Sequence, residues 1–218
     1  MANFYKKSHQ SGRSMIEMLG VLAIIGVLSI GGIAAYSKAM RKHNVNQTAE
    51  IFTGVLRGYA TLRENVNNLS GHIAMEDFVN MGIYSECKLV PSVWDGTKAC
   101  KTPTGDITME MEGGMVNFYV FLTKDTCAEF LSYNWQNVIP KEWGNTPGSE
   151  SIIGGTAYPD RYVSIQVGPD WTPIWENGVE NNNMYGVDNY NMQGIARACN
   201  KCKDDEPCNI LFAYGGEI

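Results

Sequence analysis

The sequence predicts an α+β protein with one long N-terminal helix, followed by a domain built on an antiparallel sheet and closed by disulfides. Three observations support this class. Residues 18–37 form a run of 20 uncharged, mostly apolar residues between Glu17 and Lys38. Apolar residues then continue at helical spacing, and no proline occurs before Pro91. Only beyond this region does the sequence show strand patterns and cysteines.

We expect one helix over residues 13–68, roughly 80 Å long at 1.5 Å per residue. Its first half is apolar on all sides and long enough to cross a bilayer, so we assign residues 14–36 as the membrane part. Its second half is amphipathic and should lie on the sheet. The stripe that predicts this packing consists of Ala49, Phe52, Leu56, Tyr59, Leu62, Val66 and Leu69.

Residues 69–218 read as an α+β head. The clearest pattern is two alternating runs over residues 107–122, joined by Gly113-Gly114 as a hairpin turn. Thr126 and Glu129 have capping-box spacing and predict a short helix. Further elements are a helix over Met75–Met81 ending at Gly82, a strand over 162–167, a helix over 192–199 and a strand over 209–214. Residues 136–160 and 168–191 are predicted to be loops, because they are rich in Pro, Gly, Ser or Asn.

The six cysteines all lie downstream of the apolar run, and their even number suggests disulfides formed in an oxidising compartment. Cys87 and Cys100 flank a predicted loop over 88–99, and Cys202 and Cys208 flank an acidic turn, so each pair should bond locally. Cys127 is then left for Cys199. The main competing pair is Cys127–Cys208, and a zinc site at Cys199, Cys202 and Cys208 is the alternative to disulfides.

Composition excludes some functions. The formal net charge of −6 offers no basic face for phosphates, so nucleic acid is not expected as the main partner. The catalytic motifs Gly-x-Ser-x-Gly, His-Glu-x-x-His and the phosphate-binding glycine loop are absent from the sequence, which predicts neither an enzyme nor a cofactor. Asp204, Asp205 and Glu206 could hold Ca²⁺, but a solvated loop without metal is the expected interpretation.

The start of the chain resembles the type IV pilin and pseudopilin family. A short basic leader ends in Gly12, a glutamate follows five residues later, and an apolar helix continues into an amphipathic one. The resemblance implies that residues 1–12 are removed by a prepilin peptidase and that Arg13 becomes the new N-terminus. Arg13 stands where the family usually has Phe or Met. Glu17 takes the position of the family's glutamate.

The resemblance implies a structural role without catalysis. The chain would be held in the inner membrane by a single span, and assembly machinery in that membrane would then add it to a periplasmic or extracellular filament of identical subunits. The Glu17 carboxylate of one subunit would pair with the free amine of Arg13 on another. This would compensate two charges in an apolar core and set the register of assembly. The alternative is that Glu17 only reaches the lipid headgroups at the end of a membrane anchor.

A second hypothesis is a secreted or membrane-anchored binding protein or adhesin with an ordinary signal peptide. Lys6, Lys7 and Arg13 would form its basic region, and Gly32-Ile33-Ala34-Ala35 would be the cleavage site. The helical pattern runs unbroken through that site, which disfavours this hypothesis.

Overall fold

The computed structural model describes residues 15–65, 72–112, 115–138, 151–153, 156–158, 161–168, 172–180, 183–188 and 190–215. The chain divides into two compact units, Met1–Arg41 and Lys42–Ile218. The predicted leader, with Gly12, and the predicted new terminus Arg13 lie outside the described residues, as does the turn at Gly113-Gly114.

The first element is the long helix α1, Met15–Asn65, which contains 51 residues. The predicted end near residue 68 falls outside the described residues. In the first unit every described side chain of α1 is exposed. In the second unit one face is buried, and it consists of Val45, Thr48, Ala49, Phe52, Val55, Leu56 and Tyr59. Four residues of the predicted stripe are among them, whereas Leu62 is half-buried and Val66 and Leu69 lie outside the described residues.

The second unit contains short helices and a large sheet. The helices are α2 (Met75–Asn80), α3 (Lys124–Leu131), α4 (Trp135–Val138) and α5 (Met192–Cys199). The strands are β1 (Ile73–Ala74), β2 (Leu89–Pro91), β3 (Lys98–Thr102), β4 (Gly105–Glu112), β5 (Met115–Leu122), β6 (Ser151–Ile153), β7 (Thr156–Tyr158), β8 (Arg161–Val167), β9 (Thr172–Glu180), β10 (Asn183–Asp188) and β11 (Cys208–Gly215).

The main sheet has nine described strands, and every pairing in it is antiparallel. Eight of them follow the order β10-β9-β8-β11-β5-β4-β3-β2, and β1 pairs with β4 next to the beginning of β3. The last strand, β11, therefore lies in the middle of the sheet, between β5 and β8. Strands β6 and β7 form a separate pair.

The core lies between the second half of α1 and the sheet. The fully buried ring of Phe52 contacts Phe212 of β11 and Phe118 of β5, with ring centroids 4.6 and 6.1 Å apart. It also meets Trp135 at 5.2 Å and Phe130 at 6.0 Å. The Trp135 indole N–H donates to the backbone carbonyl of Phe130 at 2.8 Å, so the buried indole is satisfied. The chain is thus α+β, with a long N-terminal helix packed on an antiparallel sheet, as predicted.

Several local predictions were wrong. The predicted loop over 168–191 contains β9 and β10, the predicted loop over 136–160 contains the end of α4 and the pair β6–β7, and the predicted loop over 88–99 contains β2 and the start of β3. Strands β9 and β10 pair through backbone groups, which any sequence supplies, so their Asn, Gly and Pro content concealed them. The third helix begins at Lys124 with Thr123 as its N-cap residue. Thr126 lies inside this helix, and its hydroxyl donates to the carbonyl of Thr123.

Candidate functional site

The N-terminal part of α1 carries a large apolar surface that its own chain does not cover. Leu19, Leu22, Val27 and Ile30 are between 62% and 73% exposed. The helix is long and apolar enough to cross a membrane, and none of its most apolar 18-residue window is buried. A continuous exposed apolar surface of this kind is typical of a segment that contacts a membrane or another protein.

Glu17 lies in the first turn of α1, within this apolar surface. A carboxylate at the N-terminal end of a helix is favoured by the helix dipole, but in hydrocarbon it costs about 2–3 kcal/mol. Its predicted partner, the amine of Arg13, lies outside the described residues, so the predicted ion pair remains a prediction.

Four glycines interrupt the apolar surface at positions 20, 26, 31 and 32. A Cβ atom built on any of them would have no atom within 4 Å beyond the neighbouring helix backbone. Packing within the described part of the chain therefore does not require small residues there. Small residues on apolar helices allow close approach of a second helix, which gives these glycines a reason in an assembly.

Three disulfides link the second unit. Cys87 pairs with Cys100, Cys127 with Cys199 and Cys202 with Cys208, with Cα atoms 5.2, 5.9 and 5.2 Å apart. This is the combination that the order of the predicted elements favoured. The bond between Cys127 on α3 and Cys199 at the end of α5 spans 72 residues. It links the C-terminal region to α3, the helix that follows strands β4 and β5.

Two of these disulfides lie side by side. The sulfurs of Cys127, Cys202 and Cys208 are all buried and lie within 4.8 Å of one another, and they form the one such group of potential metal ligands in the described part of the chain. The predicted zinc alternative used Cys199 in place of Cys127. In the structure all four of these cysteines are in disulfides, so their sulfurs are not available as thiolates.

The acidic turn between Cys202 and Cys208 is exposed. Asp204 pairs with Lys124 at 3.2 Å, and Glu206 accepts a hydrogen bond from Lys203 at 2.9 Å. Lysines thus compensate two of the three carboxylates, and this arrangement favours the solvated loop over a Ca²⁺ site.

Two tyrosine hydroxyls link segments of the second unit that are far apart in the chain. The Tyr190 hydroxyl lies 2.8 Å from the carbonyl oxygen of Leu131 and 2.6 Å from that of Tyr133. Burial raises the pKa of Tyr190 well above its ordinary value, so it stays a neutral donor. Tyr133 in turn donates to the side-chain carbonyl of Asn46 on α1.

Sequence reasoning missed the buried carboxylate of Asp106, which is 1% exposed, and the exposed indole of Trp94 above the same strands. An alternating strand gave no reason to expect either. A charged residue on the face of a strand opposite its apolar residues normally predicts contact with solvent.

Comparison with known proteins returned no match: no family model, no curated protein and no solved structure is similar to this chain.

Proposed function

We propose that this protein is the structural subunit of a filament of the type IV pilus or pseudopilus kind. The single observation that carries the proposal is the asymmetry of α1. One half is buried on the sheet of the second unit, whereas the other half exposes apolar side chains along its whole described length. A membrane covers such a helix before assembly, and copies of the same helix cover it in a filament.

The chemistry of the helix suits both environments. Before assembly, residues 14–36 span the inner membrane and the cysteine-bearing head lies on the oxidising side. In the filament, the apolar halves pack together and the heads face outward. Glu17 and the amine of Arg13 on a neighbouring subunit form an ion pair that only a processed, correctly staggered subunit completes. The prepilin peptidase and the membrane assembly machinery are the partners that this route requires.

Substitution of Glu17 tests assembly. Glu17→Ala should insert into the membrane at least as well as the wild type, because it removes a carboxylate from the apolar run. It should nevertheless give few or no filaments when cells are sheared. Met18→Ala is a matched control, since this neighbour is also exposed but carries no charge. Normal filaments from Glu17→Ala would refute the role of Glu17 in register.

The mature N-terminus separates the two hypotheses. Cleavage after Gly12 gives a chain that begins at Arg13, and the loss of Lys6 and Lys7 lowers the formal net charge of −6 by two units. Intact-mass measurement or N-terminal sequencing detects this directly. A mature chain that begins near Ala35 would instead support the secreted binding protein with a signal peptide.

A further inference from the structure

The sheet has an outer depression that the proposed function does not use. It holds about 110 Å³ and lies on the face of β4 and β5 that carries Thr108, Glu110, Tyr119 and Phe121. Trp94 forms one wall and is 58% exposed, although an indole of this size is usually buried. An exposed tryptophan beside a concave, partly polar surface is a common feature of ligand sites.

The loop that carries Trp94 is held in place by its own hydrogen bonds. Across residues 92–97, the N–H of Ser92 donates to the carbonyl of Thr97 at 2.6 Å, and the N–H of Trp94 donates to the hydroxyl of Ser92 at 3.1 Å. The Asp95 carboxylate accepts from both the N–H and the hydroxyl of Thr97. Below the loop, the disulfide Cys87–Cys100 links the segment before β2 to β3.

A buried carboxylate anchors the same loop to the sheet. Asp106 is 1% exposed, and its Oδ2 accepts a hydrogen bond from the N–H of Val93 at 3.1 Å. Its other oxygen, Oδ1, is buried without a hydrogen-bond partner among the described residues. Burying a carboxylate on one hydrogen bond costs free energy. The hydrogen bond from Val93 to Asp106 fixes the loop next to Trp94. The indole is therefore held in position before a ligand binds.

The ring geometry indicates what kind of group fits. Trp94 and Phe121 are tilted by 33° with centroids 6.1 Å apart, and Tyr119 and Phe121 are stacked at 16°. Phe121 is only 1% exposed, so the ring that reaches the surface most fully is the indole of Trp94, with the half-buried Tyr119 nearby. A cage for a quaternary ammonium group needs rings that face it from several sides, and these three rings do not form one. The exposed indole instead presents a flat face on which the C–H face of a sugar ring can lie.

The rim of the depression is polar and of mixed charge. Glu110 and Asp95 offer carboxylate acceptors, and Lys98 offers a donor. His72 lies 3.9 Å from Glu110. Charges of both signs favour neither an anion nor a cation. They do suit neutral hydroxyl groups, which can donate to carboxylates and accept from an ammonium or imidazole group.

We propose that this depression is a binding site for a neutral carbohydrate, with the sugar ring against Trp94 and its hydroxyls on the Glu110 side of the rim. The inference goes beyond the filament role and does not depend on polymerisation, because every residue of the site lies within one head.

The test uses the full chain, purified in a detergent without a sugar headgroup. An immobilised panel of neutral hexose and N-acetylhexosamine oligosaccharides identifies the bound sugar, which is then titrated by calorimetry and by tryptophan fluorescence. Trp94→Ala should weaken binding about tenfold and abolish the fluorescence change, as expected for loss of one ring contact. Glu110→Gln should weaken binding several-fold without loss of the fluorescence change. Val93→Ala should bind as the wild type does, because Val93 is on the same loop and equally exposed but lines no part of this depression.

Three outcomes would overturn the proposal: no sugar of the panel binds, Trp94→Ala binds as well as the wild type, or a trimethylammonium or lysine-peptide probe binds in place of the sugar. Thermal unfolding of each variant is measured alongside. Trp94→Ala should melt as the wild type does, since the indole is mostly exposed. If Trp94→Ala melts at a lower temperature than the wild type, Trp94→Tyr is measured instead. This variant should melt and bind the sugar as the wild type does, and a folded Trp94→Tyr that does not bind contradicts the proposal. Filament formation is scored separately, so failure of the carbohydrate site and failure of the filament proposal are distinguishable.

Discussion

Replacing Gly58 with alanine tests the packing of α1 against the elements that follow it. Gly58 lies inside α1, where alanine is intrinsically favoured over glycine by about 1 kcal/mol. Helix propensity alone therefore predicts that Gly58→Ala stabilises the protein. The structure predicts the opposite, because α2 and the turn after it approach the helix at this residue.

The size of the effect follows from the neighbours. A Cβ atom on residue 58 would lie 2.9 Å from Cγ2 of Ile83, 3.0 Å from Cζ of Phe78 and 3.2 Å from the backbone oxygen of Ile83. Carbon atoms pack best at about 3.5–4.0 Å. Phe78 is fully buried, so it has little room to move. Overpacking of a core costs about 1–3 kcal/mol, which outweighs the propensity gain and leaves a net loss of about 1 kcal/mol.

Urea unfolding of the full chain in detergent, followed by tryptophan fluorescence, measures this loss. Gly54→Ala is the matched control on the same helix. Its Cβ would lie 2.5 Å from Cε2 of Tyr84, but that atom is at the far end of a half-buried side chain that can swing aside as a whole. That control should change stability much less. The double variant Gly58→Ala/Ile83→Ala should lose about 1 kcal/mol less stability than the sum of the two single losses, because the second change removes one of the atoms that the new Cβ meets. If Gly58→Ala proves more stable than the wild type, helix propensity dominates and the close packing at this residue is refuted.

Further predictions concern the core, one buried charge and one disulfide. Phe52→Ala should lower the free energy of unfolding by about 3–5 kcal/mol, measured in the same urea assay, because the ring is fully buried among four aromatic side chains. Burial raises the pKa of Asp106 above its ordinary 3.8, because the folded state favours the protonated carboxyl. The contribution of Asp106 to the free energy of unfolding is therefore fully present below pH 3.8 and is lost as the pH rises through the folded-state pKa. Asp106→Asn should remove this loss and be at least as stable as the wild type at pH 7, and an unchanged pH profile of the melting temperature would contradict the assignment. Peptide mapping without reductant should recover Cys127 linked to Cys199, whereas a Cys127–Cys208 peptide or bound zinc would show the pairing to be wrong.

The local patterns of the sequence anticipated much of the fold. The helix α1, the hairpin β4–β5 and helix α5 lie where period and turn residues predicted them. Each of these signals is contained within a short stretch of chain, and so it is visible without knowledge of the rest. Strands β9 and β10 were missed because their pairing depends on the strands beside them, which are placed by the fold and not by the residues of β9 and β10 themselves. In the candidate site, Glu17 was recognisable from the sequence because it is a charged residue at the start of a long apolar run.

The sequence by itself determined that an apolar helix precedes a cysteine-bearing domain, because hydrophobicity and helical period are properties of consecutive residues. Only the tertiary structure decided that the final strand β11 enters the sheet between β5 and β8, a placement that joins segments far apart in the chain. It also decided that Asp106 is buried beneath the Trp94 loop and that the sulfurs of two disulfides meet in one cluster. Burial and contact depend on what the rest of the chain places nearby, and a residue's own identity does not encode them.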